Sequence, residues 1–485
     1  MTACHTETAA PALVLENLQV TVQTTGAVLL KSISLTLNAG QRLTLMGESG
    51  SGKSILAQAI MGTLPAGLQV SGKIFIAGQG VHGQRHATQP LWGKKVMMLP
   101  QEPWLSLNPL MRVLPQVAEA GFYAKGNAWP LAFSNAKKSL NGLGLDKASQ
   151  LWPHQISGGM AQRVALATAE QTGAALMLAD EPTKGLDADL RSAVGQLLMD
   201  QQGPGHTLLT ITHDVALAQQ LGGQLGVLFQ GQMVEHGPAD VVITQPQHAY
   251  TQALVAAQPA HWPLLVRELA GSTAPVIQGV GLSKRYGARK LFEQADIALA
   301  AGEIVSIQGP SGCGKTTLGN MLLGLVRPDS GSVVRAASSP FGSHAKRPAS
   351  AFQKLYQDPP AAFAASQSLR QSLMDVVLLH SLAFEAITPL MARLNLPETL
   401  LERLPSEVSG GELQRVALLR LLLLKPAFIF ADEPTSRLDP ITQRHTMQLL
   451  CELASEHACA VLLVTHDPHI AAKSAHRLQS VQFLS

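Results

Sequence analysis

The sequence predicts an α/β protein made of two tandem copies of one domain, each built on a mostly parallel sheet. Three observations carry this expectation. At 485 residues the chain is too long for one ordinary domain, and each half is long enough to bury its own core. A set of short motifs recurs in the same order in both halves. Each half also opens on strand-like alternation (LVLENLQVTV; PVIQGVGLSKRY) and continues through strand–loop–helix units, the pattern of parallel α/β folds.

The repeat is the firmest of the three. GESGSGKS (Gly47–Ser54) returns as GPSGCGKT (Gly309–Thr316), and ISGGMAQRVAL (Ile156–Leu166) as VSGGELQRVAL (Val408–Leu418). LADEPTKGLD (Leu178–Asp187) returns as FADEPTSRLD (Phe430–Asp439), and ITHD (Ile211–Asp214) as VTHD (Val464–Asp467). The offsets are 262 residues between the lysines Lys53 and Lys315, 252 between Ser157 and Ser409, 252 between Glu181 and Glu433, and 253 between His213 and His466. Near-constant spacing of four ordered motifs means duplication. The stretch from Pro259 to Ala274 (PAHWPLLVRELAGSTA), with two prolines and a Gly-Ser-Thr run, reads as a spacer, so domains are expected at 12–260 and 275–485 with a linker at 261–274.

Composition excludes several classes. An apolar fraction of 46% with 14% charged residues fits packed domains, and a net charge of +3 is too weak a surplus to argue for nucleic acid. The four cysteines (Cys4, Cys313, Cys451, Cys459) have no CxxC spacing and read as reduced thiols. The N-terminus lacks a basic start followed by an apolar run, so no secretory signal is expected. The greasiest stretch, Val416 to Ala431, is interrupted by Arg420, Lys425 and Pro426 and reads as a buried helix followed by a buried strand, short of the ~20 apolar residues of a membrane span.

The Gly-rich loops bear the first chemistry. Arg42–Met46 (RLTLM) is an apolar strand, Gly47, Glu48, Ser49, Gly50, Ser51, Gly52, Lys53 and Ser54 form the loop, and a helical pattern follows. Strand, loop and helix in that order are the context in which backbone N–H groups wrap phosphates. Lys53 supplies a point charge for the terminal phosphates and Ser54 a hydroxyl for Mg²⁺. EIVSIQ followed by Gly309, Pro310, Ser311, Gly312, Cys313, Gly314, Lys315, Thr316 and Thr317 repeats the device. A single match is compatible with an ordinary Gly-rich turn; two in matched context are not.

ALMLADE and AFIFADE are apolar runs ending in Asp-Glu. Phosphoryl transfer to water needs one carboxylate to hold Mg²⁺ and another to polarise the water, and adjacent residues past a strand end can divide those roles. Asp180 and Asp432 are assigned to the metal, Glu181 and Glu433 to general-base work. Gln101 and Gln357 follow their loop lysines by 48 and 42 residues, and His213 and His466 end apolar strands. Both pairs are candidates for sensing the terminal phosphate and orienting water, with the glutamines as further metal ligands. A strand-end histidine alone is more often a capping or core residue. Its place in the repeated motif order reverses that preference here.

Taken together these residues resemble the ABC-transporter ATPases, over nearly the whole chain and twice. The resemblance implies two P-loop nucleotide-binding domains, each with an antiparallel β subdomain and a helical subdomain beside the parallel core. Ser157, Gly158 and Gly159, and Ser409, Gly410 and Gly411, match the core of that family's signature motif. They imply head-to-tail sites in which Lys53 works with Ser409–Gly411 and Lys315 with Ser157–Gly159, two ATPs being sandwiched between. A serine hydroxyl and glycine N–H groups at a helix start are chemically suited to that. Tyr286, in SKRYG, sits where the family stacks an aromatic on adenine, whereas the first copy offers Val20 and Val22; the stacking is worth ~0.5–1.5 kcal/mol.

WPHQISGGMAQRV, QEPWLSLNP and PQHAYTQALVAAQP look like the first ATPase of peptide and nickel importers, and YQDPPAAF with SGGELQRVALLRLLLLKP like the second. That resemblance implies a fused ATPase at the cytoplasmic face of a bacterial inner membrane. Its partners would be two permease subunits on separate chains and an extracytoplasmic solute-binding protein, with no second ATPase chain required and no nucleic acid bound. The cargo class would be peptides, nickel or metal–metallophore complexes. ATP and Mg²⁺ are the expected cofactors. Some relatives carry a cysteine cluster near the end of the first domain; no cysteine lies between Cys4 and Cys313, so no iron–sulfur cluster is expected. The second copy has no counterpart of GQMVEHG (Gly231–Gly237). The rival class, soluble twin ATPases acting on ribosomes, carries a long, highly charged linker, unlike the stretch found here.

Overall fold

The fold is given by a computed structural model, which describes residues 10–480 apart from 49, 184–185, 187, 201–205, 270–273, 288, 310–311, 336–347 and 437. Ser49, Pro310 and Ser311 of the expected loops, and Cys4, lie outside the described residues. The chain divides into two compact units, Met1–Val255 and Ala256–Ser485.

The strands of the first unit are β1 (Leu13–Val22), β2 (Val28–Leu37), β3 (Arg42–Gly47), β4 (Leu68–Ile76), β5 (Gln79–Gly80), β6 (Val96–Leu99), β7 (Leu176–Asp180), β8 (Thr207–Ile211), β9 (Gln224–Phe229) and β10 (Gln232–Pro238). They form an antiparallel sheet ordered β2-β1-β4-β5 and a second sheet ordered β10-β9-β3-β8-β7-β6. In the latter, β9, β3, β8, β7 and β6 run parallel and β10 closes the edge antiparallel. β3 and β8 are central and buried on both faces, which is why RLTLM and TLLTI read as unbroken apolar runs rather than alternations. The helices Val113–Lys125, Trp129–Gly142 and Gly158–Thr172 pack around a separate apolar cluster that includes Val117, Ala136, Leu140 and Val164.

In the second unit the strands are β11 (Pro275–Tyr286), β12 (Arg289–Ala300), β13 (Ile304–Gln308), β14 (Ser330–Arg335), β15 (Phe352–Leu355), β16 (Phe428–Asp432), β17 (Ala460–Val464) and β18 (Arg477–Ser480). The antiparallel sheet is β12-β11-β14, and the parallel sheet is β15-β16-β17-β13-β18. The helices Leu369–His380, Ile387–Arg393 and Gly410–Leu423 form the helical layer. Parallel core, antiparallel sheet and helical layer are thus present in both units, as expected. The apolar stretch Val416 to Ala431 divides into helix and strand at Lys425 and Pro426. Among the described residues no helix is long and apolar enough to cross a membrane.

The stretch read as a spacer behaves differently from that expectation. Trp262 is buried in the second unit's core with Leu265 and Val266 packed beside it, and its indole N–H donates to the Ala257 carbonyl at 2.7 Å. Leu265 N–H donates to Lys473 O at 2.8 Å, and His476 Nε2 lies 2.8 Å from Arg267 O. The prolines punctuate the backbone, but the apolar side chains between them have surface that water disfavours, and they dock it.

Candidate active sites

In both units the phosphate loop joins a central parallel strand to a helix. β3 leads through Gly47–Gly52 into the helix Lys53–Met61, and β13 leads through Gly309–Gly314 into the helix Lys315–Leu322. The residue before each helix has a left-handed backbone, φ 100° at Gly52 and 108° at Gly314, which only glycine adopts without strain. A Cβ at Gly52 would also stand 2.4 Å from Leu30 Cδ2. The loop lysines are buried and curl back over their loops: Lys53 Nζ donates to Gly47 O and Glu48 O at 2.7 Å, and Lys315 Nζ to Gly309 O at 2.7 Å. A Gly-rich turn at a helix start is the kind of backbone whose N–H groups can cradle an anion.

The carboxylates sit at the C-terminal ends of β7 and β16, next to those loops. Asp180, Glu181 and Asp432 are buried. Thr316 Oγ1 donates to Asp432 Oδ1 at 3.2 Å, so a hydroxyl and a carboxylate converge beside the second loop. Oxygen donors of this kind suit a hard divalent cation that completes its shell with water and phosphate. Burial pushes the Asp432 carboxyl above the usual range, with Lys354 and the Thr316 hydrogen bond pulling partly back.

Each catalytic-glutamate candidate touches its histidine. His213 Nδ1 lies 2.9 Å from the Glu181 carboxylate, and His466 Nε2 lies 2.5 Å from Glu433 Oε1. Burial lowers the affinity of His213 for a proton, but the Glu181 and Asp214 carboxylates outweigh it and hold the pKa above its ordinary 6.5. Gln357 Nε2 donates to Glu433 Oε2 at 2.7 Å, bringing glutamine, glutamate and histidine together in the second unit. The aspartates after the histidines are caps: Asp214 accepts from Ala216 N and Leu217 N, Asp467 from His469 N and Ile470 N.

Ser157 and Ser409 occupy the N-cap positions of the helices Gly158–Thr172 and Gly410–Leu423. Ser157 accepts from Met160 N; Ser409 accepts from Glu412 N, while its own N–H and hydroxyl donate to Glu412 Oε2 at 2.9 and 2.7 Å. Tyr286 is 55% exposed at the end of β11, with the Lys284 ammonium 5.5 Å from its ring centroid. In the first unit Val20 is buried in the core, which leaves the partly exposed Val22 at the strand end. The PQHAYTQAL segment folds back on the β9–β10 hairpin, where Glu235 accepts from Gln247 N and His248 N and Tyr250 stacks on Phe229 at 4.3 Å.

Two features escaped sequence reasoning. Glu181 and Glu433 both have left-handed backbones, φ 49° and 47°, and donate their N–H groups across to Ile211 O and Val464 O. Strained backbone at matched positions is characteristic of functional sites. Lys354 stands beside Asp432; its signal was a lysine inside the apolar run FQKLY, where the first copy has VMMLP.

A family model described as ABC transporter matches residues 30–184 and 292–436. A peptidoglycan transport ATP-binding protein, YejF of Agrobacterium fabrum, is 32% identical over 496 residues, covering 96% of this chain and 90% of that protein. The glutathione import ATP-binding protein GsiA of Salmonella typhi is 30% identical over 506 residues, covering 92% and 81%. Among solved structures, an archaeal ribosome recycling factor in complex with a ribosomal stalk protein superimposes with a TM-score of 0.64 at 20% identity, over 96% of this chain and 87% of that one, a likeness of fold.

Proposed function

We propose, from the premise that the chain belongs to the ABC transporter family and is one of its ATPases, that it energises import of peptide-like solutes through membrane subunits on other chains. The observation that carries this is the full duplication of the hydrolytic set. Lys53 and Lys315 hold the terminal phosphates, Glu181 and Glu433 draw the proton from the attacking water, and His213 and His466 hold those carboxylates in place. Gln357 steadies Glu433, and Gln101 is its counterpart in the motif order of the first copy. Ser157–Gly159 and Ser409–Gly411 present helix N-termini suited to further phosphate contacts. Tyr286 stacks on adenine in the second unit. Ser54 with Asp180, and Thr316 with Asp432, would hold Mg²⁺, which when bound would neutralise phosphate charge.

Both curated relatives above are named for transport of peptide-bearing molecules, which supports peptides over nickel among the cargoes expected from sequence. The same likeness supports permease partners, and an extracytoplasmic solute-binding protein is proposed with them. The ribosome factor shares a fold at 20% identity, and this carries no function. The deciding experiment is purification of the chain with its membrane partners, followed by ATP-driven uptake of labelled tripeptides and nickel complexes into vesicles. Peptide uptake lost in the Lys53→Ala/Lys315→Ala chain is the expected result. Co-sedimentation with ribosomes and no membrane partner would overturn it.

A further inference from the structure

One face of the second unit's parallel sheet carries a cation at a position where the first unit has Met98. β15 and β16 pair with Lys354 beside Phe430, so Lys354, Phe430 and, two residues on, Asp432 share that face. The Lys354 ammonium lies 5.2 Å from the centroid of the Phe430 ring, donates to Asn320 Oδ1 at 3.0 Å and stands 3.7 Å from Asp432 Oδ2. Its side chain is 13% exposed. In the first unit β6 and β7 pair with Met98 beside Leu178, and Asp180 follows on the same face. Gln58 holds the place of Asn320 on the loop helix. Met98 shows that an apolar residue fills this position of the fold without difficulty. A lysine largely withdrawn from water is costly unless paired, and here the carboxylate within reach is the one assigned to Mg²⁺.

Two positive charges beside one carboxylate repel, so a fixed ammonium diminishes what a metal ion gains there. With no metal bound, that ammonium offsets the repulsion between Asp432 and the phosphates. We propose that Lys354 is a positioning residue that supplies part of the charge of Mg²⁺ at the second site, so that this site binds ATP with far less dependence on Mg²⁺ than the first. The inference rests on Lys315 and Asp432 being the phosphate and metal groups of that site.

The test is equilibrium binding of ATP to the full chain in EDTA and in Mg²⁺, with Lys53→Ala isolating the second site and Lys315→Ala the first. In the Lys53→Ala chain, Lys354→Met should weaken binding in EDTA roughly tenfold while changing it by less than about twofold in Mg²⁺. The affinity for Mn²⁺ in the presence of ATP, read by its paramagnetic resonance signal, should rise. Lys354→Arg, which keeps the charge, should behave as the parent. In the Lys315→Ala chain, Met98→Lys should confer EDTA-resistant binding on the first site. Equal weakening by Lys354→Met in both conditions, or none in either, overturns the proposal. If that variant does not fold, Met98→Lys decides, and failure to gain EDTA-resistant binding overturns the proposal. ATP binding that survives Lys53→Ala/Lys315→Ala would instead overturn the reading of the phosphate loops themselves.

Discussion

The two units solve one packing problem in two ways. Between the Gly-rich-loop helix and the strand that ends in the aspartate proposed for Mg²⁺, the first unit packs Ala57 and Leu178, both buried. The second places Gly319 against Phe430, so close that a Cβ on the glycine would stand 2.3 Å from the ring. Small faces large in one and medium faces medium in the other, and neighbouring residues change in concert, Gln58 and Met98 giving way to Asn320 and Lys354. The residues proposed for hydrolysis are the same on both sides, but what supports them is not. His213 meets Glu181 through Nδ1, whereas His466 meets Glu433 through Nε2; the Glu412 side chain engages Ser409, whereas the Ser157 hydroxyl accepts from the Met160 backbone N–H. Duplication has preserved the chemistry while the second shell of each site has gone its own way.

The comparison can be broken most directly at the bases. Glu181→Gln together with Glu433→Gln should cut hydrolysis by about 10²–10⁴ with ATP still bound, measured as phosphate release at saturating nucleotide. If one single variant keeps the parent rate, that unit is idle and the two sites are unequal in output. Parent rates in both singles and in the double variant would remove the base assignment altogether.

Next in size is the packing swap. Gly319→Ala should destabilise the second unit by about 1–3 kcal/mol, because the ring it meets is fully buried. Adding Phe430→Leu, which copies the first unit's solution, should recover most of it in denaturant unfolding. A double variant no better than the sum of the singles would show that the two positions are not coupled.

The helix caps come third. Ser409→Ala should cost about 1 kcal/mol of unfolding free energy, and Ser157→Ala less, since only Ser409 closes a reciprocal box with its glutamate. Equal losses would erase that distinction between the copies.

The smallest effect is a matter of pH. His213 has a pKa raised above 6.5, so its pairing with Glu181 contributes stability fully below pH 6.5 and loses it as pH rises through the raised value. Glu181→Gln should bring the His213 titration, followed by NMR of the ring protons, down in pH. An unmoved titration would show that Glu181 is not what holds the proton on this ring.

The duplication, the phosphate loops, the Asp-Glu strand ends and the strand-end histidines were all legible in the sequence. Their chemistry is written in contiguous segments: a central strand must be apolar throughout, and the helix-start glycines Gly52 and Gly314 are demanded by a backbone that side chains strain. Where an expectation failed, the deciding term was burial across the chain. The proline-flanked stretch looked like a spacer until Trp262 found the second unit's core, and Val20 looked available until packing buried it. Only the tertiary structure decided which nitrogen of each histidine meets its glutamate, that Gln357 reaches Glu433, and that Lys354 stands beside Asp432. Those contacts join residues far apart in the chain, through strand pairing and helix packing that no local pattern encodes. Side-chain distances of a few ångströms therefore decided how two nearly identical motif sets became two different sites.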